Sequence, residues 1–159
     1  MAMFKIDQSL SVYGLLIHFV IAMIFTLSFI LVIPEYWGAA FGYFAFCVVL
    51  FTQQRLHRNS FRVGMMFLKL NHYEAALESF TRSLEYFEEH PVLDKYRWPL
   101  LISTSSFTCK EMCLRNITAC HVLLKNKEQA SFYYDTLLCI NADWKLKMPW
   151  YDEFLNKFY

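Results

Sequence analysis

Cysteine and histidine are the residue types of this chain best suited to metal or redox chemistry, with five of each. Cys109 and Cys113 stand four residues apart, which places both thiols on one face of a helix, where they could share a metal. Neither a CxxC pair nor a pair of histidines completes a four-ligand site. Free cysteine packs as a small hydrophobic residue, so we expect buried thiols, no metal and no cofactor.

Catalytic signatures are missing from the sequence, which has no glycine-rich phosphate loop, no HExxH and no GxSxG. His18 stands in a long apolar run, and an ionisable residue at membrane depth is a candidate functional residue. A hydrogen bond from a neutral imidazole to a neighbouring helix explains it as well. The sequence therefore predicts a protein without enzymatic activity, and an enzyme or ion carrier that uses His18 is the weakest alternative.

The charge balance argues against nucleic acid as a partner. Fifteen Lys and Arg oppose fourteen Asp and Glu, whereas phosphate binding needs a surplus of cations on one surface. Hydrophobic residues make up 57% of the chain and concentrate in its first third. This asymmetry favours a membrane anchor followed by a small domain.

Residues 1 to 54 are predicted to form a two-helix transmembrane hairpin, with spans at about 10 to 33 and 36 to 54. The first span contains no Asp, Glu, Lys or Arg and is long enough to cross the hydrocarbon core. Pro34 and Glu35 separate the spans, because proline disfavours helix at the preceding residue. A cleaved signal peptide is the competing interpretation of the first span, but its apolar stretch is too long.

The loop between the spans contains no Lys or Arg, whereas Lys5 precedes the first span and Arg55, Arg58 and Arg62 follow the second. By the positive-inside rule, both termini are predicted to be cytoplasmic in a two-pass integral membrane protein, with the lipid bilayer as one partner.

Small or polar residues recur along both spans and are candidates for helix packing. They are Gly14, His18, Ala22 and Thr26 in the first span and Gly38 and Gly42 in the second. Such residues let helix backbones approach closely. They could pack the hairpin on itself or dock another membrane protein, and the sequence leaves both possibilities open.

After residue 54 the sequence contains an internal repeat. A shift of 54 residues places Val63 on Ile117, Leu70 on Leu124, Glu74 on Glu128, Ala76 on Ala130, Phe80 on Tyr134 and Leu84 on Leu138. Each copy has helical periodicity on both sides of a short polar break, Asn71 and His72 in the first copy. The pattern predicts two helix–turn–helix units.

The units resemble the tetratricopeptide repeat family, through Gly64, Ala76 and Phe80 in the first copy and Thr118, Ala130 and Tyr134 in the second. The resemblance implies that residues 55 to 159 form a short all-α solenoid behind the hairpin. Repeats are expected at about 57 to 90 and 111 to 144, with an insertion at 91 to 110 that is helical from Pro99 onward. A terminal helix at 148 to 159 is expected to cover the stack through Trp150, Phe154 and Phe158.

Two repeats are fewer than solenoids usually need, so the middle helix, the terminal helix or a second copy of the chain must cover the exposed faces. A homo-oligomer is therefore possible.

The resemblance also implies a groove along the first helix of each unit, which would receive an unidentified protein partner. The matching positions are Arg58, Phe61, Arg62, Met65, Leu68, Lys69, Met112, Arg115, Asn116, Ala119 and Val122. Such a groove suits an extended partner with hydrophobic anchors and acidic groups. Alternatively, Arg58 and Arg62 face anionic lipid headgroups.

One branch of the family binds the acidic C-termini of heat-shock chaperones through Lys and Asn residues. Asn116 matches one such position, but Phe61 and Met65 stand where that branch has Lys and Asn, so chaperone binding is not expected. The leading hypothesis is a membrane-anchored adaptor or scaffold. The alternative is an accessory or assembly subunit that docks into an oligomeric membrane complex through its hairpin.

Overall fold

The structure is a computed structural model that describes residues 12–33, 37–57, 59–97 and 105–156. In these ranges the main elements are nine helices, so the predicted all-helical fold class is confirmed. The helices are α1 (Val12–Val32), α2 (Trp37–His57), α3 (Asn59–Lys69), α4 (Tyr73–Glu89), α5 (Pro91–Lys95), α6 (Cys109–Leu123), α7 (Lys127–Ile140), α8 (Trp144–Lys147) and α9 (Pro149–Asn156).

The chain divides into two compact units. The apolar unit contains Gln8–Asn59 and Pro91–Thr108, and therefore α1, α2 and α5. The helical unit contains Ser60–His90 and the chain from Cys109 onward. The segment predicted as an insertion between repeats thus belongs almost entirely to the apolar unit.

Helices α1 and α2 pack side by side in opposite directions. Gly38 of α2 lies against Ile30, and Gly42, one turn later, lies against Thr26. Farther along the same contact, the rings of Phe25 and Phe46 have centroids 6.0 Å apart. The hydroxyl of Thr26 donates to the carbonyl of Ala22 at 2.9 Å, which satisfies a polar group within an otherwise apolar helix.

Helices α3 and α4, and helices α6 and α7, form two helix–turn–helix pairs with the same turn. Asn71 and Lys125 both have left-handed backbones, with φ of 61° and 59°. The next amide in each turn donates to a carbonyl five residues back, from His72 to Phe67 at 3.0 Å and from Asn126 to His121 at 2.9 Å. This pattern is the Schellman motif, which ends a helix by satisfying its last carbonyls. The turns are 54 residues apart, the shift found in the sequence.

The core of the helical unit lies around α6. Helix α4 packs on α6, and α6 packs on α7. Helix α4 contributes Ala76, Phe80 and Phe87, and α7 contributes Ala130 and Tyr134, all of which are buried. Between α4 and α6, the Cys113 thiol donates to the Ser83 hydroxyl at 3.4 Å.

The helix expected to run from Pro99 into the second unit is not continuous, because Ser105–Thr108 is not helical and α6 begins at Cys109. The Ser105 hydroxyl accepts from the amide of Phe107 at 3.2 Å. Serine side chains compete with helical hydrogen bonds in this way, and Ser and Thr occupy residues 103 to 106.

The predicted terminal helix corresponds to α9, which follows the single-turn helix α8. Trp150 and Phe154 are buried, and the ring of Tyr151 stacks on Tyr134 of α7 at 3.8 Å between centroids. Phe158, the third predicted contact residue, lies outside the described residues.

Candidate interaction surface on the first helix pair

An exposed strip of apolar and cationic residues runs along α3. It consists of Arg62, Met66 and Lys69 of α3 and of Leu70, the residue directly after the helix. The four residues recur at the spacing of one helix face and are all exposed. Met66 is 51% exposed and Leu70 is 57% exposed. We call this surface the α3 strip. It includes two of the cations that the sequence predicted for a partner-binding groove.

The inner face of α3 is fixed against α4 by a glycine and two aromatic rings. A Cβ atom at Gly64 would lie 2.8 Å from Cε1 of Phe80, so a larger residue there would push the ring away. The rings of Phe61 and Phe80 meet edge to face at 5.4 Å between centroids. Because this packing sets the rotation of α3 about its axis, the strip residues point away from α4.

A pocket of about 530 Å³ opens beside the turn at the end of α3. Its walls are Phe67, Asn71, His72, Tyr73, Glu74, Ala75 and Leu124. The Tyr73 hydroxyl donates to Oδ1 of Asn71 at 3.0 Å, and the rings of Phe67 and His72 meet edge to face at 6.5 Å. The pocket is thus a mainly apolar hollow with polar edges, at the same end of α3 as Leu70.

The predicted groove residues of the second pair have different surroundings, because α6 is buried almost throughout. The Arg115 guanidinium lies 6.0 Å from the Trp144 ring centroid, and both residues are buried. The Asn116 side chain donates to the carbonyl of Met112 at 2.9 Å. A continuous groove across both pairs is therefore not open in this structure.

The remaining predicted positions that the structure describes are half-buried or buried. Met65, Leu68 and Met112 are half-buried, and Ala119 and Val122 are buried. Arg58 lies outside the described residues. The structure thus brings Arg62 and Lys69 to one surface and does not add Arg115 or Asn116 to it.

Glu111 is a buried carboxylate that sequence reasoning missed. Its Oε1 accepts from the Asn141 side chain at 2.8 Å and from the Trp144 indole at 3.3 Å. Hydrogen bonds to a charged acceptor are stronger than neutral ones, so Glu111 ties the end of α7 and the start of α8 to α6. In a sequence, a glutamate in the first turn of a helix is usually explained by its favourable interaction with the helix dipole. The role of Glu111 in joining three helices depends instead on Asn141 and Trp144, which are 30 and 33 residues farther along the chain.

Cys120 and His121 are adjacent buried groups on α6. Burial raises the pKa of the Cys120 thiol to about 12, which keeps it protonated and unreactive. Burial also lowers the pKa of His121, whose ring stacks on Tyr133 at 5.5 Å. Nδ1 of His121 has no hydrogen-bond partner among the described residues, so the imidazole is accommodated as a neutral ring.

The other four cysteines differ in burial. Cys109 and Cys113 are buried, Cys47 is half-buried and Cys139 is exposed. In the described part of the chain, no group of three or more His, Cys, Asp or Glu side chains could hold a metal ion.

The predicted membrane-packing residues are partly engaged within the α1–α2 contact. Gly38 and Gly42 are buried there, and a Cβ atom at Gly42 would lie 2.9 Å from Cα of Thr26. His18 and Ala22 are half-buried. Gly14 lies within α1, but its surroundings are outside the described part of the structure.

Leu15–Val32 is long and apolar enough to span a membrane, and the helix from Trp37 to Val49 is a shorter apolar one. The same length and composition also fit a signal sequence near the N-terminus.

Comparison with known proteins adds no family. No protein-family model, curated protein or solved structure matches the chain. Its function must therefore be argued from its own surfaces.

Proposed function

We propose that this protein is a membrane-anchored adaptor without enzymatic activity. In this proposal α1 and α2 form a two-pass transmembrane hairpin with both termini on the cytoplasmic side, and the helical unit binds a partner protein. The observation that carries the proposal is the α3 strip. In it the exposed Met66 lies between the cations Arg62 and Lys69, and the exposed Leu70 directly follows Lys69.

The anchor is supported by the exposed apolar side chains of the apolar unit. Large apolar residues such as Phe19, Ile24 and Leu31 of α1 and Phe41 and Phe44 of α2 are exposed. An exposed apolar surface of this extent marks an interaction site or a membrane contact. A lipid environment would cover both helices, whereas a cleaved signal sequence would leave the apolar surface of α2 in water.

The resemblance to tetratricopeptide repeats remains part of this proposal. It is supported by the close packing of Gly64 on Phe80 and by the repeated turn geometry at Asn71 and Lys125. In such repeats the first helix of each pair receives the partner. Here α3 is the accessible first helix, so we assign the binding role to it alone.

The partner is expected to present apolar anchors flanked by acidic groups. Two apolar side chains separated by one helical turn suit the face of an amphipathic helix or an extended peptide. Arg62 and Lys69 would favour acidic groups on either side, and this charge complementarity acts mainly on specificity and association rate. The pocket lined by Phe67 and Leu124 could receive one apolar side chain.

Affinity capture of the tagged full-length chain from native membranes in mild detergent tests the proposal. The Arg62→Glu, Lys69→Glu variant should lose a stoichiometric partner that the unmodified chain retains. The matched control is Arg82→Glu, Lys145→Glu, which reverses two cations at other exposed positions of the helical unit. Equal capture by both variants would move the binding function away from α3.

The alternative is an accessory subunit that docks through the hairpin. It would need a hairpin surface other than Gly38 and Gly42, because both glycines already contact α1. Grafting residues 1 to 54 onto an unrelated soluble domain separates the two functions. Capture of the same partner by this graft would favour the accessory subunit.

A further inference from the structure

In the described part of the insertion, the segment Pro91–Arg97 carries an exposed apolar surface. Val92, in the five-residue helix α5, is 59% exposed, and Tyr96, directly after that helix, is 50% exposed. The segment belongs to the apolar unit, together with α1 and α2, and not to the helical unit.

Two exposed aromatic residues of this unit, Tyr96 and Phe51, have a cation close to the ring. The Lys95 ammonium lies 5.5 Å from the Tyr96 ring centroid. At the end of α2, the Arg55 guanidinium lies 5.7 Å from the Phe51 ring centroid. Tyrosine, lysine and arginine are enriched where a protein crosses from hydrocarbon to lipid headgroups, and their long side chains keep the charge in water while the stem covers apolar groups.

The charge of the apolar unit is complementary to anionic lipid. Within Gln8–Asn59 and Pro91–Thr108 the sequence contains four cations, Arg55, Arg58, Lys95 and Arg97, and two acids, Glu35 and Asp94. Glu35 lies between the two predicted spans, so the proposed topology places it on the opposite side of the membrane from these cations. The four cations then outnumber the one remaining acid, Asp94. Juxtamembrane cations are attracted by the anionic cytoplasmic leaflet.

Arg97 bonds to backbone carbonyls on both sides of its own position in the chain. Its guanidinium donates to the carbonyl of Ser106 at 3.0 Å and to the carbonyl of Asp94 at 3.5 Å. In the sequence, the five residues after Arg97 are Trp-Pro-Leu-Leu-Ile, with no charge. This composition is typical of a membrane interface.

We propose that Pro91–Arg97 is a second membrane contact, which lies in the headgroup region of the cytoplasmic leaflet with Val92 and Tyr96 toward the acyl chains and Lys95 toward anionic headgroups. This inference rests on the proposed transmembrane hairpin, since the segment shares its compact unit. Its role is to hold the chain between the two helix pairs at the membrane surface.

Photocrosslinking of the full-length chain in nanodiscs that contain anionic and zwitterionic lipid tests this contact. Separate variants carry p-benzoylphenylalanine in place of Tyr96, of Phe44 in α2, or of Phe132 in α7. Phe132 is the matched control, because it is an aromatic residue of the helical unit that is 62% exposed. Irradiation should give lipid adducts at positions 96 and 44 and none at position 132.

Charge reversal sharpens the test. Lys95→Glu, combined with the probe at position 96, should lower the ratio of anionic to zwitterionic lipid adducts by at least about fivefold, since the loss of one juxtamembrane cation alone removes about 1 kcal/mol near an anionic surface and the new carboxylate adds repulsion. An unchanged ratio would overturn the assignment of Lys95 to anionic headgroups.

The outcomes separate this inference from the proposal beneath it. Lipid adducts at position 44 but not at position 96, or protein adducts at position 96, would overturn the second contact and leave the hairpin intact. An absence of lipid adducts at both positions would overturn the hairpin as well. Equal yields of lipid adducts at positions 96 and 132 would also overturn the second contact, because an exposed aromatic residue of the helical unit would then meet lipid as readily as Tyr96.

Discussion

The α3–α4 and α6–α7 pairs end their first helices with the same backbone geometry, at Asn71 and Lys125, but those first helices differ in burial. Met66 and Lys69 of α3 are exposed, as is Leu70 directly after it, whereas α6 is buried on nearly every face. Local sequence therefore sets the turn and the register, and the position of a helix among its neighbours sets which side chains remain accessible. A binding residue cannot be transferred from one pair to the other by spacing alone.

The largest expected effect comes from removing the aromatic residue that each second helix contributes to the core. Phe80→Ala should lower the free energy of unfolding by about 3–5 kcal/mol, because it leaves a cavity in a packed core. Tyr134→Ala, at the equivalent position, should also be severely destabilising, since it removes the stacking partner of Tyr151. Thermal unfolding of the full chain in mild detergent, followed by tryptophan fluorescence, measures both.

The control for these two substitutions is Phe132→Ala, which changes an exposed aromatic residue of α7. It should alter the free energy of unfolding by no more than about 0.5 kcal/mol. A loss at position 132 as large as that at position 80 would mean that the exposed face of α7 is covered by something else, such as a second copy of the chain.

The next effect distinguishes the two turns. Lys125 has a left-handed backbone with φ of 59°, which is unfavourable for a residue with a Cβ atom, so Lys125→Gly should stabilise the chain by about 1 kcal/mol. Asn71→Gly should change the free energy of unfolding by only a few tenths of a kcal/mol, because asparagine tolerates this conformation and Tyr73 donates to its side chain. Equal effects at both positions in the same unfolding measurement would contradict the account of the turns.

The smallest effect is the pH dependence of His121, which occupies the position of Phe67 in the other pair. Burial lowers the pKa of His121 in the folded chain below its ordinary 6.5. As the pH falls, the unfolded chain therefore binds more protons at this histidine than the folded chain does. The free energy of unfolding is thus unaffected by His121 above pH 6.5 and decreases below that pH. His121→Phe should reduce the loss of stability between neutral and acidic pH, measured by thermal unfolding across that range. An unchanged pH profile would contradict this assignment.

Much of the helical pattern could be predicted from the sequence. Uncharged runs predicted α1 and α2, and the 54-residue shift predicted both helix pairs and the first turn at Asn71, because periodic apolar residues and left-handed caps leave local signals. The membrane placement of α1 and α2 and the family resemblance stay predictions.

The candidate site could be predicted only in part, because its limits depend on long-range contacts. Arg62 and Lys69 are exposed as a partner surface requires, whereas Arg115 is buried beside Trp144, which stands 29 residues farther along the chain. The role of Glu111 depends on Asn141 and Trp144 in the same way. The assignment of Pro91–Thr108 to the apolar unit likewise has no local signal.

The most direct test of the proposed anchor compares two native cysteines in sealed, right-side-out and inverted membrane vesicles from cells that express the chain. Cys139 is exposed on α7, whereas Cys47 lies within α2, and Cys109, Cys113 and Cys120 are buried.

A membrane-impermeant maleimide should label Cys139 in inverted vesicles only, and should label Cys47 in neither preparation until the membranes are dissolved in denaturing detergent. Labelling of Cys47 in intact vesicles, or of Cys139 from the external side, would contradict a transmembrane hairpin that holds the helical unit in the cytoplasm.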